Sequence, residues 1–294
     1  MLFVTLRILS LIFFFVSDLL WVKPIKSGLP NYLLIFLRSI FTTITFITAW
    51  LIAQYIFYDE SINYHLIEKE YPQDLVFYIE AILLCLFSFW GLYHFTASLK
   101  LNKFSFVAPL ANLGFIFTIL TSIAVYQINI TNTQIIALVV FAITVIIILR
   151  KFQFSDFKIL VVPIILTHFF WDTAVVFYPL IISKIGIIPF CLLMELCVLS
   201  SSGILVIVNS KIISWNLIKP HLIRAILMAA IICTAVFLFS SSLTYLSVIV
   251  VVTLGLLTKL IRLTYGYFIL KERLNKTELI VLLLMVFGGM LASF

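Results

Sequence analysis

Long apolar runs alternate with short polar breaks along the whole chain. The run 135–149 carries Thr144 as its one polar side chain. A strand with one wet face would alternate apolar and polar positions, and a membrane β-barrel needs many such strands of about ten residues. Continuous apolar runs instead fit helices, which cross a bilayer with about 20 residues. The pattern predicts spans near 3–22, 32–57, 75–98, 104–126, 133–150, 159–182, 186–208, 221–243, 246–270 and 277–294. The fold class expected is therefore all-α integral membrane, with ten transmembrane helices. The first run continues past Asp18 to Trp21 without a small-residue cleavage site, so it reads as a span and not as a secretory signal.

Composition narrows the classes further. Of 294 residues, 64% are apolar or aromatic and 11% are charged. A soluble domain carries about 45–50% apolar and about 25% charged residues, so a water-soluble globule and a disordered chain are both excluded. The connectors are short; the longest polar stretch is 58–74, too small for a catalytic domain. The net charge of +7 points to loop lysines and arginines rather than to nucleic acid. The four cysteines, Cys85, Cys191, Cys197 and Cys233, lie inside apolar runs with no close Cys-x-x-Cys pair, which predicts small buried side chains and no zinc site.

The positions of the charges predict a topology. Odd-numbered loops hold 13 of the 19 Lys and Arg residues, from Lys23 and Lys26 in the first to Lys271, Arg273 and Lys276 in the last. Even-numbered loops hold Lys69 and Lys184, and Arg7, Arg38, Lys259 and Arg262 lie in or beside spans. The excess of positive charge on cytoplasmic loops then places both termini outside.

The chain also repeats itself. The segments Phe95-Thr96-Ala97-Ser98-Leu99 and Phe239-Ser240-Ser241-Ser242-Leu243 lie 144 positions apart, as do Thr133-Gln134-Ile135-Ile136 and Thr277-Glu278-Leu279-Ile280. Asp18 ahead of Pro24 recurs loosely as Asp172 ahead of Pro179. Two units of five spans are expected, 1–150 and 151–294. An odd number of spans forces the second unit to lie inverted, the architecture of many secondary transporters.

Charged groups inside spans are costly, about 2.5–3.5 kcal/mol at the bilayer centre, and normally face a cavity or a partner. Lys259 and Arg262 share a helical face, where they would repel without an anion between them; they read either as a cationic clamp or as a snorkelling or ion-paired couple with Glu195 or Asp172. Arg38 either binds substrate or snorkels, and Glu195, at a related place in the second unit, suggests an internal pair. Asp18, Asp172 and Glu195 are candidates for proton coupling, because a carboxylic acid removed from water can take and release a proton as its surroundings change. His94 and His168 invite proton-relay or metal readings, and the spacing His168-x-x-x-Asp172 puts two ligands on one face, but the sequence supplies no third, so no metal is expected. Trp90, Trp171 and Tyr265 are further candidates for the lining of a substrate site, although Trp and Tyr also favour membrane interfaces. Gly114 and Gly288-Gly289 predict close helix packing.

The last forty residues carry a more specific pattern. Gly255-Leu256-Leu257-Thr258-Lys259 leads to Lys271-Glu272-Arg273-Leu274, then Glu278 and a span with Gly288-Gly289. An apolar span closing on Glu-Arg-Leu, a polar step and a span with paired glycines resembles the drug/metabolite transporter superfamily, of the ten-span EamA type. Arg38 in the second span and Pro109 in the fourth agree in outline. The Gly255-x-x-x-Lys259 setting is similar to the nucleotide-sugar and sugar-phosphate branch. Gln127-Ile128-Asn129 stands where an acidic-basic pair is usual, and the family is described with cytoplasmic termini, against the loop charges of this chain.

These observations predict a secondary-active transporter of a small polar or anionic metabolite, an amino acid or related compound, working by alternating access with proton coupling or exchange. A sugar-phosphate or nucleotide-sugar exchanger is the alternative within that class, and a non-transporting structural or sensory membrane protein the alternative outside it. No catalytic cluster argues for an enzyme, no cofactor is expected, and a nucleotide-binding Gly-rich loop is absent from the sequence. The expected partners are a small-molecule substrate and the lipid bilayer, with no nucleic acid, in a monomer or homodimer of the plasma (inner) membrane. A carrier should gather Arg38, Asp172, Glu195 and Lys259 around one cavity.

Overall fold

A computed structural model of the chain describes residues 2–56, 66–67, 71–102, 107, 110, 113–151, 161–209 and 215–292. Ten α-helices of 13 residues or more account for most of them. They are α1 Leu2–Lys26, α2 Asn31–Ile56, α3 Leu75–Leu101, α4 Gly114–Tyr126, α5 Asn132–Lys151, α6 Val162–Ile185, α7 Ile187–Val208, α8 Leu222–Tyr245, α9 Val248–Phe268 and α10 Lys276–Ala292. A single helical turn, Trp215–Ile218, and a 3-10 turn, Lys219–His221, precede α8. There is no strand among the described residues. Seven helices, α1 to α3 and α6 to α9, are long and apolar enough to cross a membrane, with α4 and α5 as shorter apolar helices. The chain is an integral multi-pass membrane protein. Pro109 and most of the expected start of the fourth span lie outside the described residues.

Two helix ends differ from the sequence expectation, each for a local reason. The first helix runs on through Pro24 to Lys26. A proline so near the end of a helix forfeits one backbone bond rather than breaking the whole element. The helix stops at Gly28, whose φ of +97° suits a residue without a Cβ. There the Leu29 amide donates to Pro24 O and the Gly28 amide to Ile25 O, both at 3.2 Å, a Schellman closure that uses up the last carbonyls. The sixth helix runs past Ser183-Lys184 to Ile185, with the Ser183 hydroxyl donating to Leu180 O. Gly186 alone separates it from α7, at φ +85°. A Cβ on Gly186 would stand 2.8 Å from Ile67 Cα, and the Ile188 amide donates to Leu66 O at 3.1 Å.

Helix starts and stops recur at a fixed interval. At α5, the Thr131 amide donates to Gln134 Oε1 and the Gln134 amide to Thr131 Oγ1. At α10, the Asn275 amide donates to Glu278 Oε2 and the Glu278 amide to Asn275 Oδ1. Both are capping boxes, and they stand 144 positions apart (131 to 275). The ends of α3 and α8 keep the same interval. Asn102 N donates to Ser98 O at 3.0 Å and Leu246 N to Ser242 O at 2.9 Å, while the Ser98 and Ser242 hydroxyls donate to Phe95 O and Phe239 O.

The helices form two compact units, Met1–Phe89 with Phe177–Leu246, and Trp90–Val176 with Ser247–Phe294. Each draws on both halves of the sequence; the expected division at residue 150 concerns repeats and is a separate matter from packing. In the first unit α1 lies along α8, and α2 lies along α7 and α8. Ser10 Oγ donates to Ala235 O at 2.9 Å, Phe14 meets Phe239 edge-on, and Trp21, Leu34, Phe190 and Met228 fill the interior. In the second unit α5 lies along α10, and α9 contacts α10 and α4. Phe141 is fully buried there, stacked on Phe115 at 6.5 Å, with Gly288 against its ring. A side chain at Gly288 would collide with that ring, which bears out close packing at this glycine.

Candidate functional site

Two clusters of ionisable side chains lie on helices that are otherwise apolar, one in each unit. The first joins α2 to α7. Arg38 and Glu195 are 3% and 2% exposed. Arg38 Nη1 donates to Glu195 Oε1 at 3.2 Å and Nη2 to Oε2 at 2.9 Å, while Thr42 Oγ1 donates to Oε2 at 2.6 Å. The internal pair that their positions suggested is thus formed, and Arg38 does not snorkel. Thr42 joins because it lies one turn on from Arg38 and so on the same face. The cluster continues through soft groups: Cys233 Sγ on α8 stands 3.8 Å from Thr42 O, and Cys191 Sγ on α7 stands 3.5 Å from Ser240 Oγ. All four cysteines are buried and none is in a disulfide.

Hydrogen-bond capacity in this cluster is uneven. Glu195 accepts three bonds, one at Oε1 and two at Oε2. Arg38 has five N–H donors in a fixed fork, and its Nε is buried with no partner. The Thr43 hydroxyl, one residue beyond Thr42 and 4% exposed, is also unpartnered. Asp18 is buried in the same unit at 6% exposure, on α1.

The second cluster is organised along α6. His168 Nδ1 and Asp172 Oδ2 are 2.7 Å apart, with side chains 11% and 17% exposed. The two residues are one turn apart, so the pair is formed within one helix. Gly114 on α4 lies against it: a Cβ there would run into the Asp172 carboxylate and reach the His168 ring. Thr118 and Ser122 continue the Gly114 face at four-residue steps, 1% exposed, with no hydrogen-bond partner. At the far end of that face the Tyr126 hydroxyl donates to Val176 O at 2.8 Å.

Aromatic rings and one cation complete this unit. His94 stacks on Phe170 at 6.0 Å and 6°, and on Trp90 at 6.3 Å. Trp171 packs on Phe95 at 5.5 Å, and Gly91 leaves room for its indole. Arg262 Cζ lies 5.6 Å from the centre of the Phe95 ring, within range of a cation–π contact. Tyr265 on α9 is half-buried, and Trp90 is 41% exposed. The Lys259 side chain lies outside the described residues. Among the described residues no group of three His, Cys, Asp or Glu side chains gathers where a metal could sit.

The structure therefore brings Arg38 together with Glu195, and His168 together with Asp172, in different units. Thr42 and Phe170 enter the clusters without a sequence signal of their own, while Gly114, expected as a packing glycine, and Phe95, expected only as part of the repeat, take on a place in them. The first unit thus holds a buried guanidinium and two buried carboxyl groups, Asp18 and Glu195, and the second the partly buried Asp172.

No family model matches the chain, and no curated protein matches it. Solved structures do match it in fold, in 24 chains. One, a crystal structure described only as that of a protein, covers 99% of this chain and 95% of its own with a TM-score of 0.52 and 14% identity. That likeness shows a shared arrangement of helices and extends no further.

Proposed function

We propose that this protein is a secondary-active carrier of a small polar or anionic metabolite, such as an amino acid or a related compound. It works by alternating access between two inverted five-helix repeats, residues 1–150 and 151–294, in the plasma (inner) membrane. The observation that carries the reading is the sealed Arg38–Glu195–Thr42 cluster between α2 and α7. Removing an ion pair from water costs more than its Coulomb attraction often returns, so a purely structural membrane protein gains little from one. A carrier needs groups that change partners inside the membrane. The His168–Asp172 pair and the Arg262 cation support the same reading in the second unit. The capping boxes and helix ends at an interval of 144 support the repeat, and short connectors leave no room for an enzyme's catalytic domain.

A second reading, exchange of sugar phosphates or nucleotide sugars, is favoured by Lys259 and Arg262 one turn apart in α9. Both readings fit a member of the drug/metabolite transporter superfamily. The deciding experiment is a thermal-shift screen of the purified chain against amino acids, other carboxylates, sugar phosphates and nucleotide sugars, since a ligand that binds only the native state raises its stability. Uptake of the hits into liposomes follows. A carrier gives hits that enter the liposomes and lose entry in Lys259→Ala or in an Arg38 variant. A chain that inserts normally and moves no compound of any class is not a carrier.

A further inference from the structure

The Arg38–Glu195 cluster keeps an unused donor on its cationic side. Glu195 takes three donors on its two oxygens, whereas the guanidinium keeps an unpartnered, buried Nε. The fork that Arg38 presents to Glu195 is the geometry with which arginine recognises any carboxylate. Another arginine of this unit behaves differently: Arg7 lies 4.8 Å over the Phe239 ring and reaches the Ser10 hydroxyl.

We propose that Arg38 is the substrate receptor of the carrier, that its ligand is a carboxylate, and that Glu195 occupies the receptor until a proton neutralises it. This rests on the carrier reading and names its substrate class. The site as built is neutral overall, one guanidinium against one carboxylate, and both are sealed from water. Adding a second carboxylate would leave a net negative charge in that setting, which is prohibitive. A proton on Glu195 removes the excess. The acid then donates its own O–H, Thr42 remains beside it, and the guanidinium turns to the incoming carboxylate with Nε available as a further donor. Charge balance fixes one proton per carboxylate. The other titratable groups around Glu195 cannot substitute for it. Among the described residues they are Cys233 from α8 and Cys191 from α7 itself, with Cys85 of α3 beside Cys191. All are neutral thiols when protonated and bring no positive charge that would offset a second anion.

The test uses the full chain in lipid nanodiscs, with acetate, L-lactate, benzoate, L-alanine and L-phenylalanine as probes and glucose 6-phosphate as the contrasting anion. Binding is measured by thermal shift across a range of about two pH units near neutrality, where the carboxylate probes stay ionised. The wild type should bind at least one carboxylate, with Kd rising about tenfold for each unit of pH, the slope that uptake of one proton demands. Glu195→Gln should bind the same compound with no such slope. The Arg38→Gln/Glu195→Gln protein, which leaves no charge behind and so retains its fold, should not bind it. Binding by that double variant, or a slope that survives in Glu195→Gln, overturns the assignment. Hits confined to glucose 6-phosphate also overturn it while leaving the carrier reading intact. No hit of any class, together with no uptake into liposomes, removes the carrier reading and this inference with it.

Discussion

The two charged clusters solve the same problem in opposite ways. Arg38 and Glu195 come from helices 157 positions apart in sequence and are held bidentately at 3% exposure. His168 and Asp172 sit on one helix, a turn apart, with 11% and 17% of their side chains exposed. The first pair exists only when α2 and α7 are packed, so its energy belongs to tertiary structure. The second would form in an isolated α6 and keeps partial contact with its surroundings. A sealed pair is costly to break and cheap to replace whole; a half-open pair is neither.

The largest effect is expected from breaking the sealed pair on one side. Arg38→Gln strands a buried carboxylate and should cost about 3–5 kcal/mol, read as a fall in thermal or detergent-induced unfolding of the purified protein. Adding Glu195→Gln should recover most of that loss. The matching change in the other unit, His168→Gln, should cost under about 1 kcal/mol, with little recovery from adding Asp172→Asn. Equal costs in the two units would erase the distinction drawn between them.

A smaller effect separates the packing around the clusters. Gly114→Ala places a methyl where the Asp172 carboxylate now lies. The carboxylate must rotate away and its bond to His168 is lost, for about 1–3 kcal/mol of overpacking. In the first unit, Gly203→Ala brings a Cβ to 3.3 Å from the Phe36 ring, a contact that a small ring shift relieves, so the change should stay within about 0.5 kcal/mol. Unfolding of the two variants side by side checks the difference. A tolerant Gly114→Ala would mean that the α4 face does not fix Asp172.

The contrast between the clusters also explains what could be read from the sequence. The ten helices are legible because each is a separate apolar run, and the His168–Asp172 pair is legible because four-residue spacing is a property of one helix. The Arg38–Glu195 pair is legible only as two opposite charges that cannot stay alone in an apolar setting. Thr42 is not legible: a hydroxyl in a helix commonly bonds its own backbone, as Thr45 does with Phe41 O, and Thr42, itself 3.2 Å from Ser39 O, comes closer to Glu195 only through packing. Phe170 is one among 29 phenylalanines, with nothing to mark it out before the fold stacks it on His94, and Phe95, marked only by the repeat, gains its place against Trp171 in the same way. The ends of α1 and α6 run past Pro24 and Ser183-Lys184 because hydrogen bonds, rather than polarity, decide where a helix stops.

The smallest effects test whether the two halves are built alike. The boxes Thr131…Gln134 and Asn275…Glu278 make the same pair of bonds at equivalent places. Thr131→Ala and Asn275→Ala should therefore lower stability alike, by about 1 kcal/mol each. They differ in the cap residue and in charge: Glu278 is anionic and Gln134 neutral, and a negative charge in the first turn of a helix is favoured by its dipole. Glu278→Gln should then lose about 0.3–1 kcal/mol, a loss that added salt should shrink, whereas Gln134→Glu should gain nothing, because Gln134 is 6% exposed and the benefit of a charge there is offset by lost hydration. A salt-sensitive loss at Glu278 with no gain at Gln134, beside equal losses in the two cap variants, would show that the same pair of capping bonds recurs in both halves while only the second adds a charge to it.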